Sequence, residues 1–474
     1  MFARKVLLAI AVFMFLCGIS RAASEDKASA LEKENAQLRQ RVDNLEKKVD
    51  DLTKMMEAKS QPASPAEPNK SAAPAKSAGQ VKPEGQASSQ TKLSDEDVKK
   101  ILASLKQNEN KKNVFSNLDV ELYGMIKLDA AYDSSKTSVG NYAQWVENEN
   151  KNDHDSQFSM TPKQTRIDMK INGPANDEFR TSGLVEIDFY GTDAGENKAG
   201  ILLRHAYMQF DWPKDRFSIL AGQTSDLISP LFPSTLNYTV NWWVGNIGYR
   251  RPQIRFTKIY ALDKDVDWTI AGALVRTIGS ATNDFTTDAG KASGMPGLQA
   301  RTALKFPFFG DKPTEVGFSS HWAKEELDTN SYGQHKNFYS WSYNIDITQP
   351  VNKWLAFKGE LFTGQDLSTY LGGIGQGVNT KTNKEIGSKG GWIAASLGPW
   401  DKWNFNLGAG VDTACKDDVD TGGRTLNRNV FGNMIYSFDK NAKVGLELSH
   451  WRTEYKGPGG AEDLRAQMSF MYNF

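Results

Sequence analysis

The stretch Leu464-Arg465-Ala466-Gln467-Met468-Ser469-Phe470-Met471-Tyr472-Asn473-Phe474 decides the fold. Leu464, Ala466, Met468, Phe470, Tyr472 and Phe474 alternate with Arg465, Gln467, Ser469, Met471 and Asn473, the period of two that gives a strand one apolar and one polar face. A soluble β-sandwich also alternates, but it seldom turns charged side chains toward its partner sheet. An apolar-out, polar-in strand ending on an aromatic residue fits a bacterial outer-membrane barrel. Phe470, Tyr472 and Phe474 are expected to form the signal read by the barrel-assembly machinery.

Working back from this end, the same pattern recurs in segments of about ten residues separated by Gly, Asn and Asp clusters. Val120, Leu122, Ile126, Leu128, Ala130 and Tyr132 interleave with Asp119, Glu121, Lys127, Asp129 and Asp133; Ile167, Met169 and Ile171 interleave with Arg166, Asp168 and Lys170. Trp341/Tyr343/Ile345/Ile347 and Trp403/Phe405/Leu407/Ala409/Val411 repeat it. Residues 118–474 therefore predict an all-β transmembrane barrel of about 16 antiparallel strands, a size that encloses an aqueous channel. Composition agrees: 39% of the 474 residues are apolar and mean hydropathy is −0.54, yet 40 glycines and 11% aromatics accompany that polarity. That mix suits neither a helical membrane protein nor an unfolded chain.

The N-terminal part has a different character. Arg4 and Lys5 precede the apolar run Val6 to Ile19, followed by Ser20, Arg21 and Ala22, so residues 1–22 read as a secretory signal cleaved after Ala22. Between 27 and 57, Leu31, Leu38, Leu45 and Leu52 recur every seven residues, with Ala28, Asn35, Val42, Val49 and Met56 at the complementary positions. This is an α-helical coiled coil, and its flanking charge pairs favour parallel strands. Residues 58–92, rich in Pro, Ala, Ser and Lys, form a linker, and 94–107 a short amphipathic helix opened by Ser94. Export leaves the coiled coil in the periplasm. Cys17 lies inside the signal, so Cys415 is the one cysteine of the mature chain and no internal disulfide is expected.

The connection Gln223 to Arg251 lacks alternation and carries Pro230, Pro233, Trp242, Trp243 and Tyr249. A long connection of this kind is most useful folded into the lumen, narrowing it. If the alternation holds, Arg166, Lys170, Arg204, Arg255, Arg301 and Lys305 point into the channel. The loop contributes Asp226 as its only acid, while Arg250 and Arg251 close it, so this zone is net basic although 118–474 carry 37 basic and 42 acidic residues. A basic zone attracts anions. The pore-lining, anion-binding set is thus Arg166, Lys170, Arg204, Arg250, Arg251, Arg255 and Arg301, with Asp226, Trp242, Trp243 and Tyr249 as the constriction loop. His154, His205, His321, His335 and His450 lack metal-ligand spacing, Gly372 to Gly377 lacks the lysine and helix of a phosphate cradle, and no nucleophile elbow occurs. No enzyme activity, metal or other cofactor, or nucleic-acid partner is expected.

Glu121-Leu-Tyr-Gly-Met-Ile-Lys127, Ala131-Tyr-Asp133, Val185-Glu-Ile-Asp-Phe189, Arg204-His-Ala-Tyr207, Ala221-Gly-Gln-Thr224 and Arg251-Pro-Gln-Ile-Arg-Phe-Thr257 resemble the DcaP-type trimeric porins. The resemblance covers the first half of the barrel closely and the second half in pattern. It implies a homotrimer in the outer membrane, in contact with its lipid and lipopolysaccharide, passing small anionic solutes such as dicarboxylates by diffusion. It also implies a three-stranded coiled coil, whereas Val and Leu at the heptad positions with Asn35 favour two strands. Phosphate-selective porins share the layout and are the nearest rival. A structural alternative is an envelope anchor whose coiled coil and linker bind peptidoglycan.

Overall fold

The computed structural model describes residues 119–152, 154–191, 198–279, 289–309, 312–327, 335–379 and 381–474. The signal, coiled coil, linker and short helix expected in 1–107 lie outside the described residues. Sixteen antiparallel strands follow: β1 (Asp119–Asp133), β2 in two segments (Gln157–Thr161 and Arg166–Ala175), β3 (Arg180–Asp188), β4 (Leu202–Trp212), β5 (Phe217–Ser225), β6 (Arg250–Asp263), β7 (Val266–Val275) and β8 (Gly297–Phe306). The second half comprises β9 (Thr314–Leu327), β10 (Lys336–Pro350), β11 (Leu355–Gln365), β12 (Gly387–Trp400), β13 (Trp403–Ala414), β14 (Arg424–Ser437), β15 (Ala442–Tyr455) and β16 (Gly459–Asn473).

Each strand pairs with its chain neighbours, and β1 also pairs with β16, from Met125↔Asn473 to Asp133↔Arg465. That pairing closes the sheet and leaves no open edge. Phe474 exchanges backbone hydrogen bonds with Gly124 in both directions at 3.1 Å, so the last aromatic side chain is fixed on the seam. Both segments of β2 pair with β1, one beyond the other, and the break at Pro162 to Thr165 shifts the ladder slightly between them.

The alternation read from the sequence sorts the side chains by face. On β1, Leu122 and Ile126 are 65% and 56% exposed toward lipid, whereas Lys127 and Asp129 are 3% and 4% exposed toward the interior. Aromatic pairs near the short-turn end, among them Trp212/Phe217, Tyr260/Trp268 and Trp403/Tyr436, have centroids 5.5, 5.6 and 4.8 Å apart and form one girdle. Tight turns join strands at that end, where β1 begins and β16 finishes, while β1, β5, β7 and β11 run to the other end, where the long connections start.

Three of these, 134–156, 226–249 and 366–386, fold back inside the barrel. Their buried apolar side chains make small clusters with the wall: Ala143, Val146 and Val244 with Trp451 and Ala461, and Ile228, Ile247, Leu367 and Tyr370 with Phe362. A wall glycine and a loop glycine allow this close approach. A Cβ on Gly410 would fall 2.1 Å from the carbonyl oxygen of Val244, and one on Gly245 2.0 Å from that of Gly391.

Candidate functional site

The inserted loop is shorter at its roots than the sequence suggests. Gln223↔Pro252, Thr224↔Arg251 and Ser225↔Arg250 continue the ladder of β5 and β6, so the loop proper is 226–249. Pro252, which has no N–H to give, masks the strand's start in the sequence.

Asp226 fastens the two ends of the loop. Its carboxylate accepts the Tyr249 N–H at 2.8 Å and the Gln299 Nε2 at 2.7 Å, and it pairs with Arg251 Nε at 2.8 Å. Arg251 is fully buried, lies 3.7 Å above the Tyr370 ring and donates to the Thr369 carbonyl oxygen at 3.1 Å. From this root the chain crosses the bore. Leu231 N–H donates to Glu360 on β11 at 2.7 Å; Thr235 hydroxyl and Leu236 N–H both donate to Glu447 on β15 at 2.6 Å. The Leu236 carbonyl oxygen accepts from Lys127 on β1 at 3.0 Å and from Gln467 on β16 at 2.9 Å. Asn433 and Asn427 on β14 donate to the carbonyl oxygens of Ser234 and Trp243 at 2.7 and 3.0 Å. These buried carboxyl oxygens anchor the loop because a backbone N–H left unpaired there would carry its full desolvation cost. At the tip, Val240, Asn241 and Trp243 adopt positive φ of 45°, 63° and 64°, a strained backbone of the kind found at functional loops.

The basic residues singled out in the sequence fall into two groups. The first is neutralised locally. Arg204 binds Glu186, and its Nη1 donates to Asp188 at 2.7 Å; Arg166 lies 3.4 Å from Glu186. Arg301 is held by Asp346 at 2.6 Å and Glu315 at 3.0 Å, and Arg251 by Asp226. The second group has no carboxylate in salt-bridge range among the described residues. Arg255 donates to Gln253 Oε1 at 3.0 Å and to the Ser225 carbonyl oxygen. Arg250 stacks on Tyr249 and Trp242, 4.5 and 5.7 Å from their ring centroids, with Nη2 unpartnered. Lys170 is exposed on β2.

Rings knit the inward loops 134–156 and 226–249 to each other and to Tyr190 after β3. Tyr142, Tyr190 and Tyr238 form a cluster with centroids 4.0 to 5.3 Å apart, which Trp242 and then Trp243 and Trp145 extend at 6.3 to 6.5 Å. Burial pushes the phenols of Tyr190 and Tyr238 up, and Asp129 and Asp188 respectively add to it. Sequence reasoning missed Arg424, whose guanidinium lies 4.0 Å above Trp145 and donates to the Ile374 carbonyl oxygen at 2.8 Å. It also missed the anchors Lys127, Glu360, Glu447, Gln299 and Asn433. Their only mark in the sequence is a polar-face position, shared with every other inward residue. Among the described residues no group of three His, Cys, Asp or Glu side chains is placed to hold a metal ion.

A closed sixteen-stranded barrel, apolar outside and polar within, partly filled by its own loops, is an outer-membrane porin, through which solutes pass by diffusion. Residues 90–309 match the family model of the DcaP outer membrane protein. The fold is similar to the outer membrane channel DcaP of Acinetobacter baumannii, with 18% identity, TM-score 0.61, and coverage of 76% of this chain and 98% of that one. It is also similar to OmpF of Salmonella typhi, with 13% identity, TM-score 0.50, and coverage of 76% and 98%. No curated protein matches the chain.

Proposed function

We propose that this porin passes small anions, of which dicarboxylates are the best match, and that Arg250 and Arg255 set the preference. The observation that carries this reading is the pair of guanidiniums at the root of the inserted loop without a carboxylate partner. Arg166, Arg204 and Arg301 sit in ion-pair ladders, so their fields are largely cancelled at a distance and they brace the wall. A guanidinium stays charged at any working pH and offers a planar fork that suits a carboxylate. Beside walls that exclude water its field is less screened. Trp242, Trp243 and Tyr249 narrow the passage, and neighbouring weak sites let the anion leave again. Lys170 adds positive potential along the way. The trimer, a periplasmic coiled coil and an assembly role for Phe470, Tyr472 and Phe474 belong to the same reading.

Single-channel current block tests it with succinate, acetate, inorganic phosphate and a cation of similar size at the same concentration. Concentration-dependent block by succinate above that by acetate and phosphate is expected. Stronger block by phosphate would favour the phosphate-selective alternative, and block by the cation alone would overturn the proposal.

A further inference from the structure

Charged side chains on the outer wall of a membrane barrel are costly at mid-depth, about 2–4 kcal/mol for Lys or Arg, and nearly free of cost at the interfaces. Three basic side chains face that way on β12, β14 and β15. Arg428 stands opposite Val411 on β13 and Arg452 on β15, and Lys389 stands opposite Thr363 and Thr413. Residues facing each other across an antiparallel pair share a side of the sheet, and Val411 is on the exposed, lipid-facing side. The residues between them, Ser388, Asn427, Asn429 and Thr453, are buried toward the interior. All three cations lie toward the long-loop end of their strands.

Only Arg452 has its charge cancelled by neighbouring acids. Arg452 pairs with Glu454 at 3.2 Å and with Glu462 at 2.6 Å, and His450 lies 3.6 Å from Glu462. Arg428 and Lys389 are exposed and have no carboxylate in salt-bridge range among the described residues. Further down the same outer face, Ile393, Leu407, Val430 and Leu448 are 60%, 57%, 59% and 51% exposed. A cationic edge above an apolar wall is the shape of an amphiphile's partner.

We propose that the outer face of β12 to β15 binds the phosphate of an outer-leaflet glycolipid headgroup, with Arg428 and Lys389 as its ligands. The guanidinium fork and the mobile ammonium both suit phosphate oxygens. Glu454 and Glu462 neutralise Arg452 beside them, which leaves Arg428 and Lys389 as the two free cations of this face among the described residues, and acyl chains lie along Ile393, Val430 and Leu448. A second copy of this chain is the weaker fit, because the two unpaired charges have the same sign and the apolar wall below them continues the lipid-facing band.

The test is native mass spectrometry of the full chain in detergent with bisphosphorylated lipid A, dephosphorylated lipid A and inorganic phosphate. Wild type should hold the bisphosphorylated lipid. K389Q/R428Q should bind it about 25-fold more weakly, about fivefold for each cation removed, which is the ~1 kcal/mol each contributes beside an anionic headgroup. R428K should stay near wild type, and the dephosphorylated lipid should bind both proteins weakly and equally. Single-channel conductance of K389Q/R428Q should be unchanged, which separates this face from the lumen. Equal binding by K389Q/R428Q, equal binding of dephosphorylated lipid, or displacement by inorganic phosphate alone would overturn the proposal. So would chain-to-chain crosslinking through R428C on a Cys415→Ser background, which would assign the face to contact between copies. If the double variant fails to fold, R428Q alone is measured against the fivefold expectation.

Discussion

Asp226→Ala removes the fastening at the root of the inserted loop and leaves the guanidinium of Arg251 buried without its partner. Breaking a buried ion pair from one side costs about 3–5 kcal/mol. The lost hydrogen bonds to Tyr249 N–H and Gln299 belong to the same network, so they are included rather than added. At 1.4 kcal/mol per factor of ten, the root's opening equilibrium should rise by between about a hundredfold and several thousandfold. Leu231 and Leu236 keep their bonds to Glu360 and Glu447, so the loop should swing at its root while staying tethered. Planar-bilayer recording should show a larger, noisier conductance. A cysteine replacing the exposed Phe232, on a Cys415→Ser background, should react faster with a charged thiol reagent once Asp226 is gone. Replacing Arg251 by Met in the same chain should recover most of the quiet conductance, because no buried charge is then stranded. Unchanged noise and reactivity in Asp226→Ala would refute the fastening role.

Three further expectations can be checked separately. Phe474→Ala should lower the amount of barrel reaching the outer membrane while leaving the conductance of inserted molecules unchanged, as measured by membrane fractionation and bilayer recording. Asn35→Cys on a Cys415→Ser background, treated with a trifunctional thiol crosslinker, should join three chains of the mature protein by mass; dimers alone would mean that the Val and Leu heptad preference governs the coiled coil. Burial, reinforced by Glu385, pushes the Asp366 carboxyl up to about 7. The folded loop therefore holds this proton more tightly than the unfolded chain, so 366–386 gains stability as pH falls from about 7 toward 4 and loses it as pH rises. Hydrogen exchange of that loop, corrected for intrinsic rates, should show the trend in wild type and lose it in Asp366→Asn.

The barrel was legible because a period of two with one face in lipid leaves little freedom. A strand such as Leu464 to Phe474 cannot be turned the other way round without exposing Arg465 to hydrocarbon. The number of strands followed from counting such segments. Less legible were places where the ladder tolerates a fault: Pro252 hides the start of β6, and Pro162 splits β2. In the site, Arg251 and Arg255 look alike in sequence, two inward-facing basic residues after a loop. Only the fold brings Asp226 and Tyr370 to the first and leaves the second without an acid. Nor does the sequence indicate that Glu447 and Glu360 serve backbone N–H groups from a loop more than a hundred residues away in the chain. The family resemblance was clearest over the first half of the barrel, and the family match ends at residue 309, just beyond β8 where that half closes.

If two uncompensated guanidiniums set the preference of the passage, reversing them must reverse its sign, whereas reversing a braced arginine must act mainly through structure. The direct measurement is the reversal potential in a salt gradient across a planar bilayer, for wild type, Arg255→Glu, Arg250→Glu and the double variant, with heat-modifiable gel mobility confirming a folded barrel. Wild type should favour the anion, each single variant should shift toward the cation, and the double variant should prefer the cation. A reversal potential unchanged in the double variant would contradict the account and return both arginines to bracing the barrel wall.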